Sequence, residues 1–255
     1  MAGFQQLDIA RMLTFEQAAA HQGNISGPPI PKLKNFDCGF AEDSTDYDWV
    51  STTGANGCTL AHSETDGGAV TLTMGATAQD CGEFYHKVQW SAASNVGMLA
   101  KLKISAITNV CVTVGFVDVY TNTDDRVAGE IDGTALATMI NTTDWTGFTF
   151  DTDQDTDVWY VSALNNSVKG TPVAAVGSLA PVANTYFYVL VQTDTAGNIT
   201  FYYGTKIDRL DAVGYLPAAI AYASTNLLTP YVGFISHSTG ALVCTISRIM
   251  VWQDN

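Results

Sequence analysis

Charged side chains are scarce in this chain, and basic ones are the scarcest. Only 14% of the 255 residues are charged, with 11 Lys and Arg against 25 Asp and Glu, so the formal net charge is −14. An acidic surface repels phosphate backbones, which argues against nucleic acid as a partner. Hydrophobic residues make up 47% of the chain, a content that excludes a disordered protein. The length is compatible with one all-β sandwich or barrel.

Paired cysteines and long apolar runs are also missing. The cysteines form no C-x-x-C pair, so neither a zinc site nor a redox motif is indicated; they are Cys38, Cys58, Cys81, Cys111 and Cys244. We interpret them as small, mostly buried hydrophobic residues of a protein made in a reducing cytosol, with a disulfide between distant strands left open. No stretch approaches the ~18 consecutive apolar residues of a membrane span, and the N-terminus does not read as a secretory signal.

Residues 1–34 differ in composition from everything that follows. They hold three of the eleven basic residues and two of the 25 acidic ones, so they carry +1 and the remainder −15. A capping box at Thr14–Gln17 predicts a short helix, and Gly27–Pro31 predicts a stiff extended connector. A disordered tail is the alternative, but we expect an ordered arm that packs on the domain or on a neighbouring subunit. Its large apolar residues are Phe4, Leu7, Ile9, Met12, Leu13 and Phe15.

From Phe36 onward, apolar and polar residues alternate with the period of β-strands. In the segment 110–119, for example, one face of the strand would carry Val110, Val112, Val114 and Phe116. Asp194–Asn198 has the composition of a hairpin loop. The other clear candidates are 69–74, 83–90, 97–105, 147–150, 158–164, 186–193, 199–203, 231–236 and 242–252. We therefore predict one all-β domain over residues 35–255, a two-sheet antiparallel β-sandwich of jelly-roll type.

The sequence contains none of the common nucleophile, zinc or phosphate-binding motifs, and its four histidines are scattered. Glu130–Asp132 begins like the E-x-D-x-x-E strand of one jelly-roll glycosidase group, whose carboxylates serve as nucleophile and acid. The acid position here falls on Ala135, beside Thr134, and no local residue supplies a second carboxyl. The polar residues before Glu130 favour a loop. We predict no catalytic residues and a protein that is not an enzyme.

The densest acidic run, Asp151–Asp157, places a carboxylate at every second residue. On one strand face these groups would repel one another unless they were solvated or bridged by a cation, and calcium is the natural candidate. An EF-hand is excluded, because Thr156 and Ser162 stand where its glycine and its bidentate glutamate belong. We interpret the run as a solvated turn and predict no metal site and no cofactor, with calcium as the alternative.

The tryptophans are candidates for a sugar-stacking platform. Trp49, Trp90, Trp159 and Trp252 lie in or beside strand patterns and are predicted to belong to the core. Trp145 lies in a polar stretch and is predicted to be the most exposed of the five. A single exposed tryptophan is weak evidence for a ligand site.

Several strand motifs from Phe36 to Asn255 resemble the concanavalin A-like lectin/glucanase sandwich as it occurs in structural proteins of tailed phages. They are Gly82–Tyr85, Val114–Asp118, Gly147–Asp151 with Trp159-Tyr160, Tyr186–Tyr203, Pro230–Phe234 and Ile246–Trp252. These motifs belong to the strand framework. The glucanase carboxylates and the legume-type metal signature are not matched, so no functional residue carries over.

An acidic sandwich with a short arm resembles, within that group, the head decoration or cement proteins. The resemblance implies a non-enzymatic protein of the capsid surface, made in the host cytoplasm. Its implied partners are the major capsid protein and copies of itself in a homo-oligomer, commonly a trimer, with neither nucleic acid nor membrane. The apolar arm would then contact a neighbouring subunit. The alternative is a carbohydrate- or receptor-binding module of a tail or fibre, and a degraded glycosidase comes third.

Overall fold

A computed structural model shows a molecule built mainly from β-strands. It describes residues 34–38, 49–53, 58–63, 68–86, 90–118, 126–137, 142–218 and 227–253, the first two ranges as backbone only. The predicted helix after Thr14 and the connector Gly27–Pro31 lie outside these ranges. Within them, no helix is long and apolar enough to cross a membrane.

Nineteen strands lie in the described ranges. They are β1 Lys34–Cys38, β2 Trp49–Thr53, β3 Thr59–Ser63, β4 Ala69–Thr73, β5 Asp80–His86, β6 Trp90–Ser91, β7 Gly97–Ile104, β8 Val110–Val117, β9 Ile131–Asp132, β10 Ala135–Leu136, β11 Trp145–Asp151, β12 Trp159–Asn165, β13 Val168–Lys169, β14 Val173–Ala174, β15 Phe187–Thr193, β16 Ile199–Lys206, β17 Arg209–Leu216, β18 Leu227–Ser236 and β19 Val243–Gln253.

Two large antiparallel sheets contain nearly all of these strands. The first sheet has the order β17-β16-β15-β7-β19-β4-β3, with β1 also paired to β19. The second has the order β13-β12-β11-β8-β18-β5-β2, with β14 beside β12 and β6 beside β18. Strands β9 and β10 form a small hairpin of their own. The predicted all-β, two-sheet antiparallel sandwich of jelly-roll type is confirmed.

The main core lies between the two sheets and follows the two-residue period of the strands. The predicted face of β8 belongs to this core, from Val110 to Phe116. Phe148 of the second sheet meets Phe201 of the first edge to face, with ring centroids 5.4 Å apart. Trp159 contacts Phe148 and Phe187 in a similar way. Burying side chains of this kind contributes roughly 1.5–3 kcal/mol each, so these rings join the sheets firmly.

Strand ends agree with the sequence where a local turn determines them. The predicted hairpin loop Asp194–Asn198 joins β15 and β16, and Asp194 Oδ1 accepts hydrogen bonds from the backbone N–H groups of Ala196 and Asn198. At β5 the prediction is less accurate. That strand begins at Asp80, after Gln79 in the left-handed region at φ 67°, and it ends at His86. His86 is buried.

The four cysteines whose side chains are described are free and buried: Cys58, Cys81, Cys111 and Cys244. The interpretation as small hydrophobic residues is confirmed for these four. Burial, assisted by Asp80 and Glu83, raises the pKa of Cys58 to about 12. Burial also raises the pKa of Cys111 and of Cys244 well above its ordinary value. Because the thiolate is the reactive form, these thiols are chemically inert in the fold.

We expect a Cys38→Ser variant to show no fast reaction with Ellman's reagent at pH 8. This change removes the cysteine whose side chain lies outside the described ranges, and the other four should react only when guanidinium unfolds the chain. The number of thiols that react before and after unfolding is the measurement. A native thiol that reacts at the rate of free cysteine would contradict the burial of these side chains.

Candidate functional site

The outer face of the second sheet carries a group of buried polar side chains. On this face the register aligns Glu83, Gly233, Thr113 and Thr149 in one row across four strands. Residues 126–137, which we call the strap, pack on this face and include the hairpin β9–β10. As a result β8 is buried along its whole length, on its outer as well as its inner face.

Apolar packing around Trp145 holds the strap on the sheet. The Trp145 ring lies between Gly129 of the strap and Gly147 of β11, so closely that a Cβ atom at these glycines would stand 2.3 Å and 2.6 Å from the ring. The indole N–H donates to Ser162 Oγ at 3.1 Å. The prediction of an exposed Trp145 is therefore wrong: the strap covers the ring and buries it fully. Strap residues in the same cluster are Val127, Ala128, Ile131 and Leu136.

Buried hydrogen bonds complete the attachment of the strap. The Tyr231 hydroxyl accepts a hydrogen bond from the Ala128 backbone N–H at 3.0 Å and donates one to Glu83 Oε1. Thr149 Oγ1 donates to the backbone oxygen of Gly129 at 2.6 Å. Burial, and then the Glu83 carboxylate, raise the pKa of Tyr231 well above its usual value. The tyrosine hydroxyl therefore keeps its proton and remains a donor to Glu83.

An aspartate–histidine cluster lies where the strap meets the ends of β11 and β18. His237 Nε2 is 2.9 Å from Asp151 Oδ1, and its Nδ1 is 3.4 Å from Asp153 Oδ2. Asp151 Oδ2 accepts a hydrogen bond from the backbone N–H of Ile131 in the strap at 3.4 Å. Burial lowers the pKa of His237, but the hydrogen bond and charge of Asp151, with Asp153 and Glu130, raise it overall. The cluster therefore favours a protonated imidazole between two carboxylates.

Glu130 adds a third carboxylate beside this cluster. Its Oε1 lies 3.4 Å from Arg126 Nη1, and its side chain is 8% exposed. Its Oε2 is buried and has no hydrogen-bond partner within the described part of the chain. Burial, opposed by Arg126 and reinforced by Asp151, raises the pKa of Glu130 to about 7. This carboxyl group consequently changes charge close to neutral pH.

The structure corrects two predictions about these acidic residues. Glu130–Asp132, predicted to lie in a loop, belongs to the strap, and Ile131–Asp132 forms β9. The run Asp151–Asp157 was predicted to be a solvated turn, but its first residue, Asp151, is the last residue of β11 and is buried. Its carboxylate contacts His237 and the strap. The later aspartates of the run are exposed, as expected for a turn.

Sequence reasoning missed His237 and the partnership of Glu130 with Asp151. The local sequence around Glu130 lacks a second carboxyl, and Asp151 supplies one from a different strand. His237 reaches Asp151 only because β18 pairs with β8 and β8 with β11. Glycines inside strands gave a usable signal, since Gly115, Gly147 and Gly233 mark places of close backbone or ring approach.

Asp151, Asp153 and His237 are also the described residues that could hold a metal ion. Each offers one ligand atom, and these atoms lie within 4.8 Å of one another. One imidazole with two carboxylates suits Zn²⁺ or Mn²⁺ better than Ca²⁺, which prefers oxygen ligands alone. Both ring nitrogens of His237 already face these carboxylates. The donor set therefore does not favour calcium, the alternative for this run.

Comparisons with known proteins define the fold. No protein-family model matches the chain, and no curated protein matches it in sequence. The solved carbohydrate recognition domain of Emp47p is 13% identical to this chain in sequence. The two structures superpose over 90% of this chain and 100% of that domain, with a TM-score of 0.59. Bacillus licheniformis β-glucanase is 14% identical to this chain, and the superposition covers 87% of this chain and 98% of the glucanase, with a TM-score of 0.58. A Shewanella oneidensis MR-1 protein of unknown function is 9% identical, with 94% and 92% covered and a TM-score of 0.60.

This chain therefore has the concanavalin A-like lectin/glucanase jelly-roll fold. Solved structures with this fold include glucanases as well as lectins, such as peanut lectin at 12% identity and a TM-score of 0.57. The fold alone is compatible with an enzyme or with a binding protein. The strap and the buried carboxylates, rather than the fold, distinguish an enzyme from a binding protein.

Proposed function

We propose that this chain is a non-enzymatic structural protein that acts through surface contacts. The observation that carries the proposal is the strap, which fills the outer face of the second sheet. Retaining and inverting glycosidases need two carboxyl groups on either side of a sugar bond, about 5–9 Å apart, in a site that substrate enters. Here Glu83, Glu130 and Asp151 are all buried and are engaged by Tyr231, Arg126 and His237. A sugar chain has no access to them.

Exposed apolar residues along one edge of the sandwich support a role in protein contacts. Val173 of β14 is exposed, Val176 is 72% exposed, and Tyr215 of β17 is 58% exposed. The Val176 backbone N–H donates to the oxygen of Val213 at 2.7 Å, so the edges of the two sheets meet here. Grouped apolar side chains on a surface mark sites of protein interaction.

The proposed setting is the capsid surface of a tailed phage, with the major capsid protein and further copies of the chain as partners. This setting rests on the strand motifs described above. Immunogold labelling of particles from the organism that encodes the chain tests it. We expect gold on the heads, and gold confined to tails or fibres would contradict a decoration role.

A carbohydrate-binding module is the second candidate, and the likeness to the Emp47p carbohydrate recognition domain favours it. Sugar would then be bound outside the covered face, whose polar groups are buried. A glycan array separates the two candidates. Binding of a glycan by the monomeric chain would support the carbohydrate-binding module, whereas binding to none of the glycans would support the structural protein.

We expect the wild-type chain to self-associate in sedimentation velocity and the double variant Val173→Glu/Val176→Glu to shift it toward monomer. The added carboxylates would have to be desolvated in a contact through this edge. Ile107→Glu is the matched control, because Ile107 is an exposed apolar residue of the β7–β8 loop. If the double variant and Ile107→Glu sediment alike, this edge is not the contact.

The non-enzymatic assignment has a test of its own. It would be overturned if the wild-type chain hydrolysed a β-glucan and the Glu130→Gln variant did not.

A further inference from the structure

An Asp-Gly pair lies at the tip of the strap. Asp132 ends β9 and Ala135 begins β10, so Gly133 and Thr134 form the two-residue turn between these strands. All four residues are exposed. The tip therefore stands in solvent, although the strap residues on either side of it, such as Ile131 and Leu136, are buried.

An aspartate followed by glycine can change its own linkage without an enzyme, an oxidant or a cofactor. The glycine nitrogen attacks the carboxyl carbon of the aspartate, a C–N bond forms, and one carboxyl oxygen leaves as water together with the proton of the nitrogen. Water then opens the resulting five-membered succinimide at either carbonyl group. One opening restores aspartate, and the other gives isoaspartate, in which the main chain runs through the side chain. Glycine permits the attack best, because it has no Cβ atom and its backbone is the least restricted.

The reacting groups of Asp132 and Gly133 are both accessible. The Asp132 side chain is 73% exposed, and its ion pair with Arg126 is 3.8 Å long from Oδ2 to Nη2, so the pair holds the carboxylate only weakly. Nothing lies within 4 Å of a Cβ atom placed at Gly133, so no neighbour crowds the turn. Within the described ranges, no backbone acceptor binds the Gly133 N–H group. The nitrogen and the carboxyl group can therefore approach each other.

The small hairpin β9–β10 gives the turn little resistance to local opening. It has only two residue pairs, and in the described structure it pairs with neither of the large sheets. A hairpin of two strands alone is marginally stable, so its tip opens more readily than a strand within a large sheet. Asp211 offers a contrast, because it is exposed as well but lies within β17, paired with Tyr203 of β16 and followed by Ala212.

We propose that Asp132 isomerises spontaneously to isoaspartate and that this modification loosens the strap. The isoaspartyl linkage inserts one carbon atom into the main chain directly after Ile131. The longer chain cannot keep the pairs Asp132–Ala135 and Ile131–Leu136 in register together. Because Ile131 and Leu136 belong to the buried cluster of Trp145, the altered hairpin packs less closely around this ring. This inference does not depend on the proposed function.

Ageing of the full chain tests the proposal. The wild-type chain is kept at pH 7.4 and 37 °C for several weeks, and peptide mapping by mass spectrometry locates isoaspartate and the succinimide, which is lighter by one water. We expect isoaspartate to accumulate at position 132 at least several-fold faster than at Asp211. The map must resolve positions, because Asp66–Gly67, outside the described ranges, is a second Asp-Gly pair. Equal rates at Asp132 and Asp211 would overturn the proposal.

Hydrogen exchange measures the effect of the modification on the strap. Ion-exchange chromatography separates aged chains with isoaspartate at position 132 from unmodified ones. We expect strap amides of residues 127–137 to exchange about tenfold faster in the modified chains. Asp132→Glu is the matched control, because glutamate keeps the carboxylate but would have to close a larger ring that forms slowly; its strap should exchange alike before and after ageing. Equal exchange in modified and unmodified wild-type chains would contradict the loosening of the strap.

Discussion

Replacing Gly129 by alanine is expected to lower the free energy of unfolding by about 3–4 kcal/mol and to displace the strap. Two costs combine at this position. Gly129 has φ +83°, a conformation that L side chains rarely adopt, and its new Cβ atom would stand 2.3 Å from the Trp145 ring. The ring is fixed between Gly147 and the strap, so it has nowhere to move.

Gly133→Ala is the matched control for this prediction. Gly133 also lies in the strap at positive φ, +64°, but nothing lies within 4 Å of a Cβ atom there. This variant carries the backbone cost alone, about 1–2 kcal/mol. Urea unfolding followed by tryptophan fluorescence measures both variants. Equal losses at the two positions would mean that Trp145 does not anchor the strap.

The free energy of unfolding is expected to fall as the pH rises from about 5 to 8, and Glu130→Gln should remove much of this dependence. The pKa of Glu130 is raised from 4.5 to about 7 in the fold, so the folded state binds more protons than the unfolded state between these values. Its contribution to stability is complete below pH 4.5 and is lost as the pH passes 7. The difference amounts to on the order of 2–3 kcal/mol.

His237 acts in the same direction, because its pKa in the fold is also raised. Its contribution is complete below its ordinary pKa of 6.5 and is lost at higher pH. Some pH dependence should therefore survive in Glu130→Gln. Asp132→Asn is the control, since Asp132 is a strap carboxylate near Arg126 whose side chain is 73% exposed. Urea unfolding at several pH values measures all three chains. A profile that Glu130→Gln leaves unchanged would contradict the burial of this carboxyl.

The sequence predicts the sandwich well where the evidence is local. The alternation of Val110, Val112, Val114 and Phe116 identifies a core-facing strand, and Asp194 caps a hairpin loop through bonds within five residues. Such features depend on neighbours in the chain, so a pattern in the sequence is enough to find them.

The candidate site is harder to predict because its contacts connect distant strands. Trp145 has polar neighbours in sequence and therefore reads as exposed, but Gly129 of the strap covers it. Asp151 reads as the start of a solvated turn, but His237 arrives from β18 and the strap binds its second oxygen. Local composition carries no information about these partners, whereas strand register determines them.

The order of strands in the sheets has a consequence for synthesis of the chain. β18 lies between β8 and β5 in the second sheet, and β19 lies between β7 and β4 in the first. Strands β8 and β5 of the second sheet, and β7 and β4 of the first, are therefore connected only after the ribosome has produced residues 227–253. Until then the nascent chain carries open strand edges on β8, β5, β7 and β4, which are templates for aggregation. Such a chain benefits from chaperones that hold it until translation has passed β19.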